Sequence, residues 1–334
     1  MNILYIGDYY PLSSYRAKTT ELLVNELQLH GHNIFLLSNS WCKVTKETFC
    51  GSVSFLSKDA PFTRRYYLDP LQVKRGKKDI LSCYLGLGCK IVEREQIQCV
   101  IFADNAIYLP IVELLKSRYL IPCYYTLYDD NFTTASLDDY IHPYIYDSIS
   151  VFDAIFTNSI YAQFVENLLH IAHPNILTLE PFQIEHNLYP VYDDNTLYIL
   201  CENWSEDRIK EIMSRAYNLL TDKNTNFVLA SLNDDCASLK RTVDSAEIVS
   251  IDEINKGSLI LCGNELFSDV SGITFFQTAL KLGLYPVSDK KKLRKNKIGN
   301  MTIRPLDNLS IITDLLFSNY TISDYFQANP NNLC

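Results

Sequence analysis

Between Ser258 and Asp289 the chain reads SLILCGNELFSDVSGITFFQTALKLGLYPVSD, and this stretch narrows the possible folds more than any other. Ser258 to Cys262 is a short apolar run. Gly272 to Leu282 carries helical spacing through Ile273, Phe276, Ala279 and Leu280, and after Gly283 the run Leu284 to Val287 is apolar again. Two short apolar runs around a helical period predict one βαβ unit. The polar loop Gly263 to Gly272 meets the start of that helix, where unpaired backbone N–H groups and the macrodipole favour an anion such as a diphosphate. Asp269 precedes the helix start, and Gln277 falls on its second turn, facing the same crevice if the apolar residues hold the helix on a sheet. The plainer alternative is that Asp269 or Ser271 caps the helix and Gln277 is solvated.

The start of the chain has the same construction. Asn2 to Ile6 reads as a buried strand, followed by Gly7-Asp8, the loop YYPLSSYR, a helix near Ala17 to His30 stopped by Gly31, and a second strand at Asn33 to Leu37. A strand, helix and strand in that span form a right-handed crossover and open a doubly wound sheet, which takes ligands at its strand carboxyl ends. Arg16 in that loop either pairs with a phosphate through its guanidinium fork or is a solvated first-turn charge. Gly7 stands alone, so the G-x-G-x-x-G fingerprint of dinucleotide binders is missing.

Alternation of strand and helix continues. Phe49 to Leu56 reads as a strand, Pro61 to Lys78 has no clear period, Ile80 to Glu95 and Ala106 to Arg118 read as helices, and Gln98 to Ala103 and Ile121 to Leu127 read as strands. The last of these runs into Tyr128, Asp129 and Asp130, either a functional strand end or a turn with Asx caps. A strand with its cap at Asp153 to Ser159, a helix to about Ile171 and a strand at Asn175 to Leu179 complete the first half. The irregular segment Glu180 to Asn195 is the expected linker. The second half restarts with a strand at Leu197 to Cys201, a helix at Glu206 to Leu220 and a strand at Phe227 to Ala230. Its first loop, Glu202-Asn203-Trp204-Ser205-Glu206-Asp207-Arg208, needs Arg208 or Lys210 turned inward if it is to accept a diphosphate beside those carboxylates. Beyond Ser318 only a short tail is expected.

In this order of elements the chain resembles the retaining, sugar-nucleotide-using glycosyltransferases of the GT-B fold. That family carries glutamate, seven residues, glutamate, then Ala, Gly and Pro-Val. The corresponding residues here are Asp269, Gln277, Ala279, Gly283, Pro286 and Val287, with Ser271-Gly272-Ile273 at the family's glycine-rich turn. At the start, Ile3 to Ile6, Pro11 and Gly31-His32-Asn33-Ile34 match the family's first strand, loop and second strand, and Tyr128 stands where the family has a histidine.

The resemblance implies an α/β protein of two Rossmann-like doubly wound domains facing a central cleft. Residues 1–185 would bind the acceptor and 186–334 the nucleotide sugar. It implies catalytic roles for Tyr128, Asp129 and Arg208. Donor contacts would come from Asp269 (sugar hydroxyls), Gln277 (ribose), Ser271, Gly272, Ile273, Thr274 and Asn203, and acceptor contacts from Ser13, Ser14 and Arg16. The implied activity is transfer of a sugar, with retention, from a nucleotide diphosphate to a glycan or lipid-linked acceptor in surface polysaccharide biosynthesis. The donor is a substrate, and neither a cofactor nor a metal is expected. The competing expectation is a catalytically inert GT-B-like scaffold that binds a glycan or an active glycosyltransferase, because both family glutamates, the histidine and the diphosphate-neutralising Arg and Lys have changed together.

Composition narrows the partners. With 334 residues the chain is long enough for two domains, and a formal charge of −9 with a pI near 5.2 argues against a general nucleic-acid binder. The clusters Lys74, Arg75, Lys77, Lys78 and Lys290 to Lys297 are candidate contacts for phosphate or for anionic headgroups of the inner membrane, or are solvated faces. Ten cysteines without a C-x-x-C pair, many of them in apolar runs, are expected to be reduced core residues. The expected location is cytoplasmic and peripheral to the membrane, since no run reaches the length of a span.

Overall fold

A computed structural model describes residues 1–7, 15–38, 48–49, 52–55, 63–68, 80–103, 109–127, 150–157, 175–183, 196–200, 207, 210–211, 214, 226–231, 247–262, 278–288 and 320–329. The chain divides into two compact units. One comprises Met1–Leu12, Arg16–Gln183 and Ser318–Cys334, the other Ser13–Tyr15 and Ile184–Phe317.

The first unit contains β1 (Asn2–Ile6), α1 (Tyr15–Leu29), β2 (Asn33–Ser38), β3 (Thr48–Phe49), β4 (Ser52–Phe55), β5 (Arg64–Leu68), α2 (Ile80–Glu95), β6 (Cys99–Ala103), α3 (Leu109–Tyr119), β7 (Cys123–Leu127), β8 (Ala154–Thr157), β9 (Ile176–Thr178) and α4 (Ile322–Ala328). Its described strands form one sheet in the order β3-β4-β5-β2-β1-β6-β7-β8-β9, with β4 antiparallel to both neighbours and the rest parallel. Strands buried on both faces explain the unbroken apolar runs NILYI, CVIFA and AIFT. On one face, Ile3, Tyr5, Ile34, Leu36, Cys99, Ile101, Tyr124 and Phe156 meet Leu23, Val24 and Leu27 of α1 and Ile322 and Phe326 of α4 in one core. The alternate residues Leu4, Ile6, Val100 and Phe102 are buried too, as are Ile91 and Val92 of α2 and Ile111, Val112 and Leu115 of α3. Gly31 stops α1 in the left-handed region at φ +83°, its N–H donating to Gln28 O at 2.9 Å while His32 N donates to Leu27 O at 3.2 Å.

Three features depart from the sequence reading. The single strand expected at Phe49 to Leu56 is two, β3 and β4, paired antiparallel with Phe49 opposite Ser52. The aperiodic stretch from Pro61 contains β5, paired with β2 on one side and β4 on the other. The short tail contains α4, and its segment is grouped with the first unit rather than with residues 186–317. The cause is visible in the packing. Ile322 is 0% and Phe326 2% exposed, Glu180 N donates to Tyr320 O at 3.0 Å, and Ile322 N donates to Glu180 O at 2.9 Å. Thr321 caps the helix by accepting from Asp324 N, and the Asp324 carboxylate accepts from Thr321 N in return.

Asp153 ties the amino ends of β7 and β8 to α3. Its carboxylate accepts from Lys116 Nζ and from Cys123 N, both at 2.7 Å. Cys89, Cys99 and Cys123 are buried free thiols, as expected of reduced core residues; burial pushes the Cys123 thiol up to about 12 and the Cys99 thiol higher still.

The second unit contains β10 (Thr196–Leu200), β11 (Asn226–Ser231), β12 (Ile248–Ser250), β13 (Leu259–Cys262) and β14 (Tyr285–Ser288), a parallel sheet in the order β12-β11-β10-β13-β14. The βαβ unit read from residues 258–289 is present in its described parts: β13, a helical turn at 278–281 with Ala279 and Leu280 buried, and β14. Gly283, at φ +78°, ends that turn, and its N–H donates to Leu280 O at 2.9 Å.

Candidate functional site

Each sheet is wound outward from a central strand, and the place where strand order reverses is where such sheets leave a crevice for a ligand. In the first unit β1 lies between β2 and β6, so the reversal falls at the carboxyl ends of β1 and β6. Gly7 follows β1 there, donating its N–H to Leu37 O at 3.1 Å. A Cβ on Gly7 would come within 2.5 Å of the Cβ of Ala103, the last residue of β6. No side chain larger than hydrogen fits at that exit, which explains the residue without any appeal to unusual backbone angles.

Two buried threonines fasten the same edge further along. Thr126 Oγ1 donates to Phe102 O at 3.0 Å, and Thr157 Oγ1 donates to Leu127 O at 2.9 Å, linking the carboxyl ends of β6, β7 and β8. The second link holds the carbonyl immediately before Tyr128. Sequence reasoning missed Ala103 and both threonines as supports. Their only signal is a small or hydroxyl residue at the end of an apolar run.

In the second unit β10 lies between β11 and β13, and the reversal falls between β10 and β13. Ile199 is in register with Leu261, which sets Leu200 and Cys262 side by side at the carboxyl edge. The segments 201–206 and 263–277 therefore leave the sheet from adjacent strand ends. Asn203 belongs to the first of them, and Asp269, Ser271, Gly272, Ile273, Thr274 and Gln277 belong to the second.

All of those donor-binding candidates lie outside the described residues, as do Tyr128, Asp129, Arg208, Ser13 and Ser14. Arg16 falls in the first turn of α1, with its side chain outside the described set. Of the loop's charged neighbours, Asp207 and Lys210 are helical and exposed. Among the described residues no group of three His, Cys, Asp or Glu side chains is placed to hold a metal ion, and no helix is long and apolar enough to cross a membrane.

No protein-family model matches this sequence, and no curated protein matches it. Solved structures do resemble it. The catalytic domain of starch synthase IV from Arabidopsis thaliana, bound to ADP and acarbose, superposes with a TM-score of 0.52 at 10% identity, over 86% of this chain and 82% of that one. Arabidopsis thaliana UGT89C1 complexed with UDP-L-rhamnose gives 0.45 at 11% identity, over 95% and 90% of the two chains. Spinosyn rhamnosyltransferase SpnG gives 0.44 at 13% identity, over 86% and 80%. At such identities a likeness speaks to fold alone, and it is the starch synthase comparison that carries it. Two sheets wound in parallel from β1 and β10, the first with β4 antiparallel near one edge, together with that superposition show that this chain has the GT-B fold.

Proposed function

We propose that this chain moves a sugar from a nucleotide-diphosphate donor, with retention of configuration, to a glycan or lipid-linked acceptor in surface polysaccharide assembly, in the cytoplasm and at the inner face of the membrane. The observation that supports the reading best is the pairing of β10 with β13 at the reversal of the second sheet. Adjacent strand ends there deliver both segments that hold the donor-binding candidates. The fold neighbour bound to ADP and acarbose is a starch synthase by name, which agrees with the reading without transferring its substrate to this chain.

The chemical task is to stabilise negative charge that grows on the departing diphosphate. Backbone N–H groups of Ser271 to Thr274 and the guanidinium of Arg208 take that role. Asp269 holds sugar hydroxyls and Gln277 the ribose. Tyr128 supplies a hydrogen bond where the family has a histidine, beside Asp129, while its phenol carries protons poorly near neutrality. Ser13, Ser14 and Arg16 face the acceptor. The donor itself is the substrate, and neither a metal nor a cofactor enters the scheme.

A scaffold reading is favoured by one specific observation: Glu202, Glu206 and Asp207 follow β10 where the family places cationic groups. A calorimetric and thermal-shift panel of nucleotide-diphosphate sugars separates the two. A donor at about a hundred times its Kd stabilises the native state by roughly 2.7 kcal/mol. Saturable stabilisation by one donor, lost in Asp269→Ala and Arg208→Ala and followed by transfer with retained configuration, is the expected result. No response from a folded sample to any member of the panel would sink the enzyme reading and leave the scaffold.

A further inference from the structure

His32 places a titratable ring in apolar surroundings. It lies between the end of α1 and the start of β2, at the amino edge of the sheet and thus opposite the carboxyl edge that carries the candidate site. The residue is 9% exposed, and its buried Nε2 has no hydrogen-bond partner among the described residues. Its ring meets Phe326 of α4 edge-on, with centroids 6.0 Å apart.

The charged groups that face it would oppose an imidazolium. Just before β1 stands the Met1 amino group, 3.4 Å from Nδ1, and just after α1 stands His30. From α4 comes the Phe326 ring, while the Asp324 carboxylate on that helix is occupied by Thr321 N at 2.7 Å and Thr321 Oγ1 at 2.8 Å. A proton added to this ring therefore gains neither an acceptor at Nε2 nor a counter-ion.

We propose that His32 is a proton-operated latch on α4: the neutral imidazole lets Phe326 seat against the sheet, and protonation releases the helix. Burial first, then the amino terminus and His30, hold the His32 pKa down to about 4 from 6.5. Release returns the ring to water and to its ordinary pKa, so the released form takes up the proton more readily. Docking is then complete above pH 6.5 and weakens as pH falls towards 4. The same linkage gives a loss on the order of tenfold in the docking equilibrium between about pH 7 and about pH 5. α4 spans seven residues, and a helix that short does not persist in water without its docking face. Release therefore exposes its backbone to exchange.

The latch is independent of the glycosyl-transfer reading and is tested without any substrate. Amide protection in the full chain, corrected for the intrinsic effect of pH on exchange, is followed at residues 322–328, β1 and β7. The expected result is protection at 322–328 that lies below that of β1 and β7 at about pH 7, the mark of a separate opening, and that falls on the order of tenfold by about pH 5. His32→Phe and His32→Asn, the second guarding against overfilling by the first, give a flat profile. Unchanged protection at 322–328, protection there equal to that of β1 and β7 at about pH 7, or acid sensitivity that persists in both variants would each overturn the proposal.

Discussion

Replacing Phe326 with alanine tests whether α4 is part of the first unit's core. The ring is 2% exposed and lies 5.7 Å from the Tyr124 ring, 6.0 Å from Phe156 and 5.5 Å from Tyr325. Removing a buried phenylalanine costs roughly 3–5 kcal/mol through lost transfer energy and an unfilled cavity. α4 is short, so its backbone can relax into part of the void, and the lower figure is expected. With a urea slope of roughly 1–3 kcal/mol per molar, a loss of about 3 kcal/mol lowers the unfolding midpoint by about 1–3 M. Hydrogen exchange in β1 and β7 along a urea series reports the first unit directly, which avoids treating two units as one transition. Gln327→Ala, at an exposed position of the same helix, serves as the control and should shift stability by no more than about 0.5 kcal/mol. A loss below about 1 kcal/mol for Phe326→Ala would refute the argument, because a core phenylalanine does not leave so cheaply.

Three further substitutions probe the rest of the frame. Gly86 is an exposed glycine inside α2 where an added Cβ meets nothing within 4 Å, so Gly86→Ala should raise stability by roughly 0.5–1 kcal/mol in thermal or urea unfolding. Asp153→Ala leaves Cys123 N–H without its acceptor and Lys116 without its carboxylate, and should cost about 1–3 kcal/mol in the same assay. Gly7→Ala forces a Cβ against Ala103 and should cost about 1–3 kcal/mol, most of it recovered in the double variant Gly7→Ala/Ala103→Gly; absence of recovery would show that the contact is not the cause.

The central strands were legible because parallel strands buried on both faces leave continuous apolar runs, as in β1, β6 and β8. β5 was not, because its RRYYL sequence opens with two arginines and pairs outside the central strands. α4 was not, because Ile322 and Phe326 acquire meaning only once Tyr124 and Phe156 have been assembled into the surface they cover. At the site, loop chemistry could be proposed from residue types and spacing. The steric contact between Gly7 and Ala103 joins residues on separate strands, and no local pattern announces it. His32 shows a third case: Gly31-His32 marks the entry to β2 in the sequence, while the surroundings that give the imidazole its character come from β1, α1 and α4.

The described parts of both sheets are held by apolar side chains and backbone ladders, with a few polar ties at strand ends such as Asp153, Thr126 and Thr157. None of these groups is a candidate for donor binding. The candidates occupy segments that begin where the described strands stop. A superposition at 10% identity speaks to the fold and is silent on activity. On the proposed reading, donor binding turns on the local charge after β10. Glu202, Glu206 and Asp207 would each oppose a diphosphate, by as much as about 4 kcal/mol per unit-charge pair at about 4 Å near a protein surface. Arg208 and the amides before residue 278 have to exceed that repulsion for a donor to be held. Binding of a nucleotide-diphosphate sugar, lost on neutralising Arg208, therefore measures the balance on which the proposed transfer depends.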